Sequence, residues 1–334
     1  MKLSILEQSP VLSGMNAHDA LKQTTELAQW ADKLGYHRFW VAEHHSTDSL
    51  AGSTPEVLAA HLAGKTENIR IGTGGILLPH YSAYKVAETF RVLETLHPGR
   101  IDLGVGRAPG GKPNVNLALN KNKFPSVEDY PAKISELMAY LHGEDPQGMG
   151  ISATPHGNSS PPIWMLGSSG TSARLAADIG ASYSFAHFIN GHGGTKAMER
   201  YLNYFNASIQ QQEPKGNVSV FAVCAETDEQ AEYLAASLDL AILKIEQGKQ
   251  IRRFPTPDEA LNYSYSMFEE ERIQENRSRI IVGSPDKVKM ELESLAESYF
   301  VDEVIINTIV TPFEARLKSY ELLAKAFQLT PRST

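Results

Sequence analysis

The sequence predicts an α/β protein built as a (β/α)8 TIM barrel with an insertion before the last strand. Three observations carry this. Eight short apolar runs alternate with amphipathic segments of helical period along the 334 residues. The turn after the first run, Leu6-Glu7-Gln8-Ser9-Pro10, holds no glycine fingerprint of the kind a doubly wound dinucleotide fold needs. Hydrophobic residues make up 42% and charged residues 21%, which suits a folded chain with a full core.

The elements follow in order. Leu3–Leu6 reads as the first strand. Ala17–Leu34 then carries Ala20, Leu21, Leu27, Ala28, Ala31 and Leu34 on one helical face, and Gly35 stops it. Phe39–Ala42 is the second strand and Thr54–Ala63 its helix. Ile69–Leu78 is a third, glycine-rich strand, followed by a helix over Ala83–Leu96 that His97-Pro98-Gly99 closes. Ile101–Val105 is the fourth strand; a loop of some twenty residues and a helix from about Ser126 to Leu141 follow. The second half repeats the pattern: strand Ile163–Leu166 with helix Thr171–Ile179, strand Ser182–Ala186 with helix Thr195–Gln211, strand Val218–Cys224 with helix Asp228–Gln247, and strand Val304–Ile306 with helix Pro312–Phe327. Residues 248–300 interrupt the rhythm with Pro255, Pro257, the aromatic stretch Tyr263–Phe268 and a further helix from Pro285 to Ser298. They read as an insertion within one barrel domain spanning 1–330.

Charge and cysteine content narrow the function. Lys and Arg total 31 against 39 Asp and Glu, a net charge of −8 with no basic block, so nucleic acid is not the expected partner. No apolar run is long enough for a membrane span, and Pro10 comes too early for a secretory signal. The single cysteine, Cys224, allows no intrachain disulfide and fits a cytoplasmic protein; it is expected in the core. No metal site is expected.

Barrel enzymes assemble their sites from residues just past the strands. After strand two stand Glu43, His44 and His45. They form either an acid/base group, since histidine titrates near neutral pH, or a hydrogen-bonded tie between loops. Adjacent histidines on extended chain point to opposite faces, which disfavours a shared metal ion. Strand three carries Gly72, Gly74 and Gly75, so either a flat ligand or tight packing meets its backbone there. After strand four, Arg107 precedes Pro109, Gly110, Gly111, Lys112 and Pro113. Pro109 breaks the dinucleotide fingerprint, and Pro113 replaces the hydroxyl residue of a nucleotide-triphosphate loop. Arg107 is therefore either a phosphate or carboxylate contact or a surface ion-pair partner. After strand five, Leu166, Gly167, Ser168, Ser169, Gly170 and Thr171 open a helix with more hydroxyls than a cap requires, which favours phosphate. His187 and His192 follow strand six in a glycine-rich loop and weigh less.

Taken together, Trp40–His45, Ile69–Gly75, His97–Arg107 and Leu166–Ser169 with Ser172–Ala176 resemble the bacterial luciferase-like family of flavin-dependent oxidoreductases. The resemblance covers most of the chain. It implies an FMN-binding barrel with a non-proline cis peptide at Gly74–Gly75 against the flavin, and Arg107 near the flavin phosphate. Leu166 to Thr171 would form the phosphate loop, and His44, assisted or anchored by Glu43, would serve the chemistry of reduced flavin with O2. The implied activity is a monooxygenase on an unidentified small organic substrate, using reduced FMN as co-substrate from a separate NAD(P)H:flavin reductase, in a homodimer. A deazaflavin (F420)-dependent dehydrogenase and a non-catalytic flavin-binding protein are the alternatives.

Overall fold

The computed structural model describes residues 1–107, 112–122, 124, 126, 128–157, 159–208 and 211–332. The expected barrel is present. Strands β1 (Lys2–Glu7), β2 (Arg38–Val41), β3 (Arg70–Thr73), β5 (Ile101–Gly106), β6 (Ile163–Gly167), β7 (Ser182–Ala186), β8 (Gly216–Cys224) and β10 (Glu303–Asn307) pair in parallel, and β10 closes on both β1 and β8. The long third strand of the sequence reading is two pieces. The Gly74–Gly75 peptide is cis, and the chain resumes beyond it as β4 (Ile76–Leu77), which pairs with β5 as β3 does.

Helices α1 (Ala17–Leu34), α2 (Pro55–Ala63) and α3 (Ala83–Leu96) match their sequence patterns closely. Helix α1 starts with a capping box between Asn16 and Asp19 and stops at Gly35, whose φ of 88° suits a residue without Cβ. Two differences follow. A short helix α4 (Pro113–Leu119) sits in the loop after β5, and the next helix, α5, spans Tyr130–Leu141 instead of starting at Ser126. Pro109, Gly110 and Gly111, and Pro125 and Val127, lie outside the described residues.

Helices α6 (Gly170–Asp178), α7 (Gly194–Asn203) and α8 (Asp228–Glu246) continue the alternation; α7 ends well before Gln211. The insertion holds α9 (Pro257–Leu261), α10 (Met267–Asn276), a strand β9 (Ile280–Gly283) and α11 (Pro285–Ser298). Strand β9 has no counterpart in the sequence reading. It pairs with Phe221–Cys224 of β8, while β10 takes Val218–Phe221, so the nine-residue β8 serves both. Helix α12 (Phe313–Ala326) completes the chain.

The N-terminal end of the barrel interior is ionic. Arg38 donates to Asp102 at 2.7 Å and to both oxygens of Glu303 at 2.5 and 3.0 Å. Arg70 forks onto Asp102 at 2.7 and 3.0 Å, Trp40 Nε1 adds a bond to the same carboxylate, and Ser4 donates to Glu303. The Arg38 guanidinium also lies 4.6 Å from the Trp164 ring centroid. Each buried charge meets charge-assisted partners that offset its desolvation. Above this layer Leu6, Trp40, Trp164 and Ile305 form an apolar plug. The barrel is thus filled from below, and its free space lies at the C-terminal ends of the strands.

Candidate active site

A cavity of about 330 Å³ opens at that end. It brings together nearly all the candidate residues: Glu43, His44, Gly74, Gly75 and Arg107 line it, as do Leu166 to Ser169. Gly170 and Thr171 begin α6 beside it.

The strand-three glycines serve packing and leave a flat floor at once. A Cβ on Gly74 would stand 2.6 Å from Leu6 Cδ1, and one on Gly75 would stand 2.5 Å from Leu166 Cδ1 and 2.6 Å from the Gly104 carbonyl oxygen. Only bare backbone fits there.

Glu43 is buried and fully engaged. It accepts from the Leu77 N–H at 2.8 Å, from the Tyr81 hydroxyl, and from His45 Nε2 at 2.6 Å. It therefore ties the end of β2 to β4 and the turn that follows. The carboxylate beside it also raises the Tyr81 phenol above its ordinary range, after burial.

His44 lines the cavity with its Nδ1 fully buried and without a hydrogen-bond partner among the described residues. Burial, helped by His45, pushes its pKa down to about 4. Its titration thus lies below the near-neutral range expected of a histidine from the sequence, and burial of the ring favours the neutral imidazole at pH 7.

The phosphate-type features converge. The register pairs Gly106 with Leu166, so Arg107 and Gly167 leave adjacent strand ends together. Arg107 has no ion pair among the described residues. Ser169 occupies the N-cap of α6, yet no side chain caps that helix. Its first-turn N–H groups lack intrahelical acceptors and remain able to bind an anion. The Ser172 hydroxyl instead turns back to the Ser169 carbonyl at 2.8 Å. A terminal phosphate on a flat ring system thus fits the donors present.

Other expectations divide. His187 is structural: its Nε2 donates to the Ser278 carbonyl at 3.1 Å and its Nδ1 accepts from the Tyr299 hydroxyl at 2.9 Å. His192 is exposed, and Cys224 is buried as expected. Sequence reasoning missed Gln8, Trp40, Ser184, Phe188 and Ser219 in the cavity wall. Strand alternation was the available signal for most of them, since Leu6 and Gln8, or Trp40 and Ala42, face inward two apart. Among the described residues no group of three or more His, Cys, Asp or Glu side chains could hold a metal ion, and no helix is long and apolar enough to cross a membrane.

A closed parallel barrel with a glycine floor, a histidine in the cavity wall and an uncapped helix terminus at the strand ends makes a barrel-enzyme site with room for a flat ligand and donors for an anion. The chain belongs to the luciferase-like monooxygenase family, whose model matches residues 1–302. It is 50% identical to the uncharacterized protein YwcH of Bacillus subtilis, over 98% of this chain and 99% of that one. It is 37% identical to the N-acetyl-S-alkylcysteine monooxygenase of the same organism, over 98% of each. The solved structure of apo-MsnO8 superposes with a TM-score of 0.92 at 40% identity, covering 99% of both chains. More distant folds include the oxygenating constituent of 3,6-diketocamphane monooxygenase from Pseudomonas putida in complex with FMN (TM-score 0.71, 19% identity, 99% of both chains). An F420-dependent secondary alcohol dehydrogenase in complex with an F420–acetone adduct also shares the fold (TM-score 0.71, 13% identity, 97% and 98% of the chains). Membership of that family makes the protein an oxidoreductase.

Proposed function

We propose that the protein is a monooxygenase that takes reduced FMN and O2 to oxygenate a small organic substrate, with the flavin reduced by a separate NAD(P)H:flavin reductase. The reading extends to one catalytic barrel domain over 1–330, a homodimer, and a cytoplasmic setting. The observation that carries it is the N-terminus of α6, without a side-chain cap, near Arg107, which has no ion pair among the described residues. That cradle has the charge sense for a terminal phosphate, and no adenosine fingerprint accompanies it in the sequence.

When bound, reduced FMN supplies the electrons that O2 activation requires. The residues supply the rest. Arg107, the hydroxyls of Ser168 and Ser169, and the first N–H groups of α6 hold the phosphate, with Leu166, Gly167, Gly170 and Thr171 shaping the loop. Gly74 and Gly75 let the ring system lie flat on the barrel wall. Neutral His44 carries one ring proton, so it donates on one nitrogen and accepts on the other, and its place in the wall suits a hydrogen bond to the reacting oxygen. Glu43 holds that rim in place. Trp40, Leu77 and Phe188 keep bulk water from the reacting centre.

Anaerobic titration with FMNH2, FMN, FAD and reduced F420, followed by oxygen-uptake assays, tests this. Thioethers make the first substrate panel, because a relative bears the name N-acetyl-S-alkylcysteine monooxygenase. The expected result is preference for FMNH2 and substrate-dependent oxygen incorporation. FAD binding as tightly as FMN would overturn the cofactor assignment. Selective F420 binding with O2-independent oxidation would replace the reading by a dehydrogenase. Tight flavin binding without turnover on any substrate would leave a flavin carrier.

A further inference from the structure

The loop that follows β7 forms one wall of the cavity through Phe188 and Ile189. Its own hydrogen bonds are few. The Phe188 N–H donates to the Ser219 carbonyl, and the Ile189 and Asn190 N–H groups both turn back to the Ala186 carbonyl. Several further contacts come from the insertion. Arg279 forks onto the Phe188 and Ile189 carbonyls at 3.2 and 3.1 Å. The His187 ring is held between the Ser278 carbonyl and the Tyr299 hydroxyl. Backbone meets backbone at Gly191, where a Cβ would lie 2.9 Å from Ser278 Oγ and 3.2 Å from its carbonyl oxygen.

The brace is itself anchored. Arg279 donates to Glu246 Oε1 at 2.6 Å and to Asn276 Oδ1 at 2.7 Å. Glu246 ends α8 and also receives Arg272 at 2.8 and 3.0 Å and Asn276 at 2.9 Å. On the cavity side, Asn190 Nδ2 donates to the Ser168 carbonyl at 3.1 Å. A continuous chain of bonds therefore runs from α8 through Arg279 and the β7–α7 loop to the phosphate cradle.

We infer that residues 276–279 of the insertion brace this loop, making Arg279 a positioning residue for both the apolar cavity wall and, through Asn190, the Ser168–Ser169 cradle. The inference rests on the flavin reading of that cradle. A guanidinium suits the task because its planar fork reaches two carbonyls and a carboxylate at once, which an ammonium cannot do in fixed geometry. The insertion thereby acquires a role at the site.

The test uses the full chain and two readouts. Hydrogen exchange in the flavin-free protein should show the amides of Phe188, Ile189 and Asn190 exchanging roughly tenfold faster or more in Arg279→Ala, the scale of losing a charge-assisted bond, with α12 unchanged. Gly191→Ala, which only pushes the loop off Ser278, should do the same. In FMN titrations, Arg279→Ala and Asn190→Ala should each raise Kd several-fold, and the double variant should add little beyond either single one. Unchanged loop exchange in both variants overturns the brace, as does faster exchange spread evenly over the barrel. Independent, multiplying effects on Kd overturn the route through Asn190. If the wild-type protein binds no FMN, the exchange experiment still decides the brace, so the two readings fail separately.

Discussion

A neutral His44 has a consequence for stability that can be worked out. In the unfolded chain a histidine titrates near 6.5, and in the folded protein burial holds His44 at about 4. Between these values the unfolded state binds a proton that the folded state refuses. Unfolding is then favoured as pH falls, so the contribution is complete above pH 6.5 and lost progressively down to about 4. Applying the linkage relation to these two pKa values gives about 2 kcal/mol lost between pH 7 and pH 5. Other buried histidines such as His37 and His142 are shifted the same way, so the wild-type slope alone is not diagnostic. The difference from His44→Asn is, because the remaining groups cancel. Urea unfolding of both proteins at pH 7 and pH 5 should show the wild type losing about 2 kcal/mol more than the variant. Equal losses would mean that His44 ionises freely in the folded state. Its proposed role as a neutral hydrogen-bonding group would go with it, and a charged acid would take its place.

Three further outcomes follow from the geometry. Arg107→Ala should weaken FMN binding roughly tenfold or more, as loss of a charge-assisted contact of about 1.5–3 kcal/mol implies, with an unchanged melting curve; isothermal titration and thermal denaturation read the two. Gly75→Ala should lower stability by about 1–3 kcal/mol in urea unfolding, since its Cβ would press on Leu166 and the Gly104 carbonyl. Asp102→Asn should cost about 3–5 kcal/mol by the same measurement, because it leaves the buried Arg38 and the half-buried Arg70 at the barrel base with one carboxylate fewer.

How much of this was legible in the sequence depends on how local each signal is. Helix α1 was readable because its apolar stripe and the Gly35 stop lie next to each other in the segment. Strand β9 was not. Ile280–Gly283 is a four-residue apolar run between two helices, and only its partner residues Phe221–Cys224, far off in sequence, make it a strand. The third strand was found as one element, whereas its break at Gly74–Gly75 was suggested by a family resemblance and not by periodicity. The site residues just past the strands were found because barrel topology fixes where strands end, while the cavity wall of Gln8, Ser184 and Ser219 depends on which way each strand faces.

Ionisation is where local reading fails most instructively. Glu43, His44 and His45 are three consecutive titratable residues, and nothing in their order separates their roles. The fold separates them by burial and partners. Glu43 meets three donors and becomes an anchor; His45 is one of those hydrogen-bond partners; His44 faces the cavity with a buried nitrogen that meets no donor or acceptor among the described residues. The group left without a structural partner is the one free to engage a ligand. The same logic separates Arg107, and Arg200 whose guanidinium lies against Gly170, from Arg38, Arg70 and Arg316, which are committed to carboxylates that the fold supplies. Function in this barrel is therefore read from what the folded structure leaves uncommitted, and the adjacent strand ends of β5 and β6 place Arg107, without an ion pair among the described residues, near a helix with no side-chain cap.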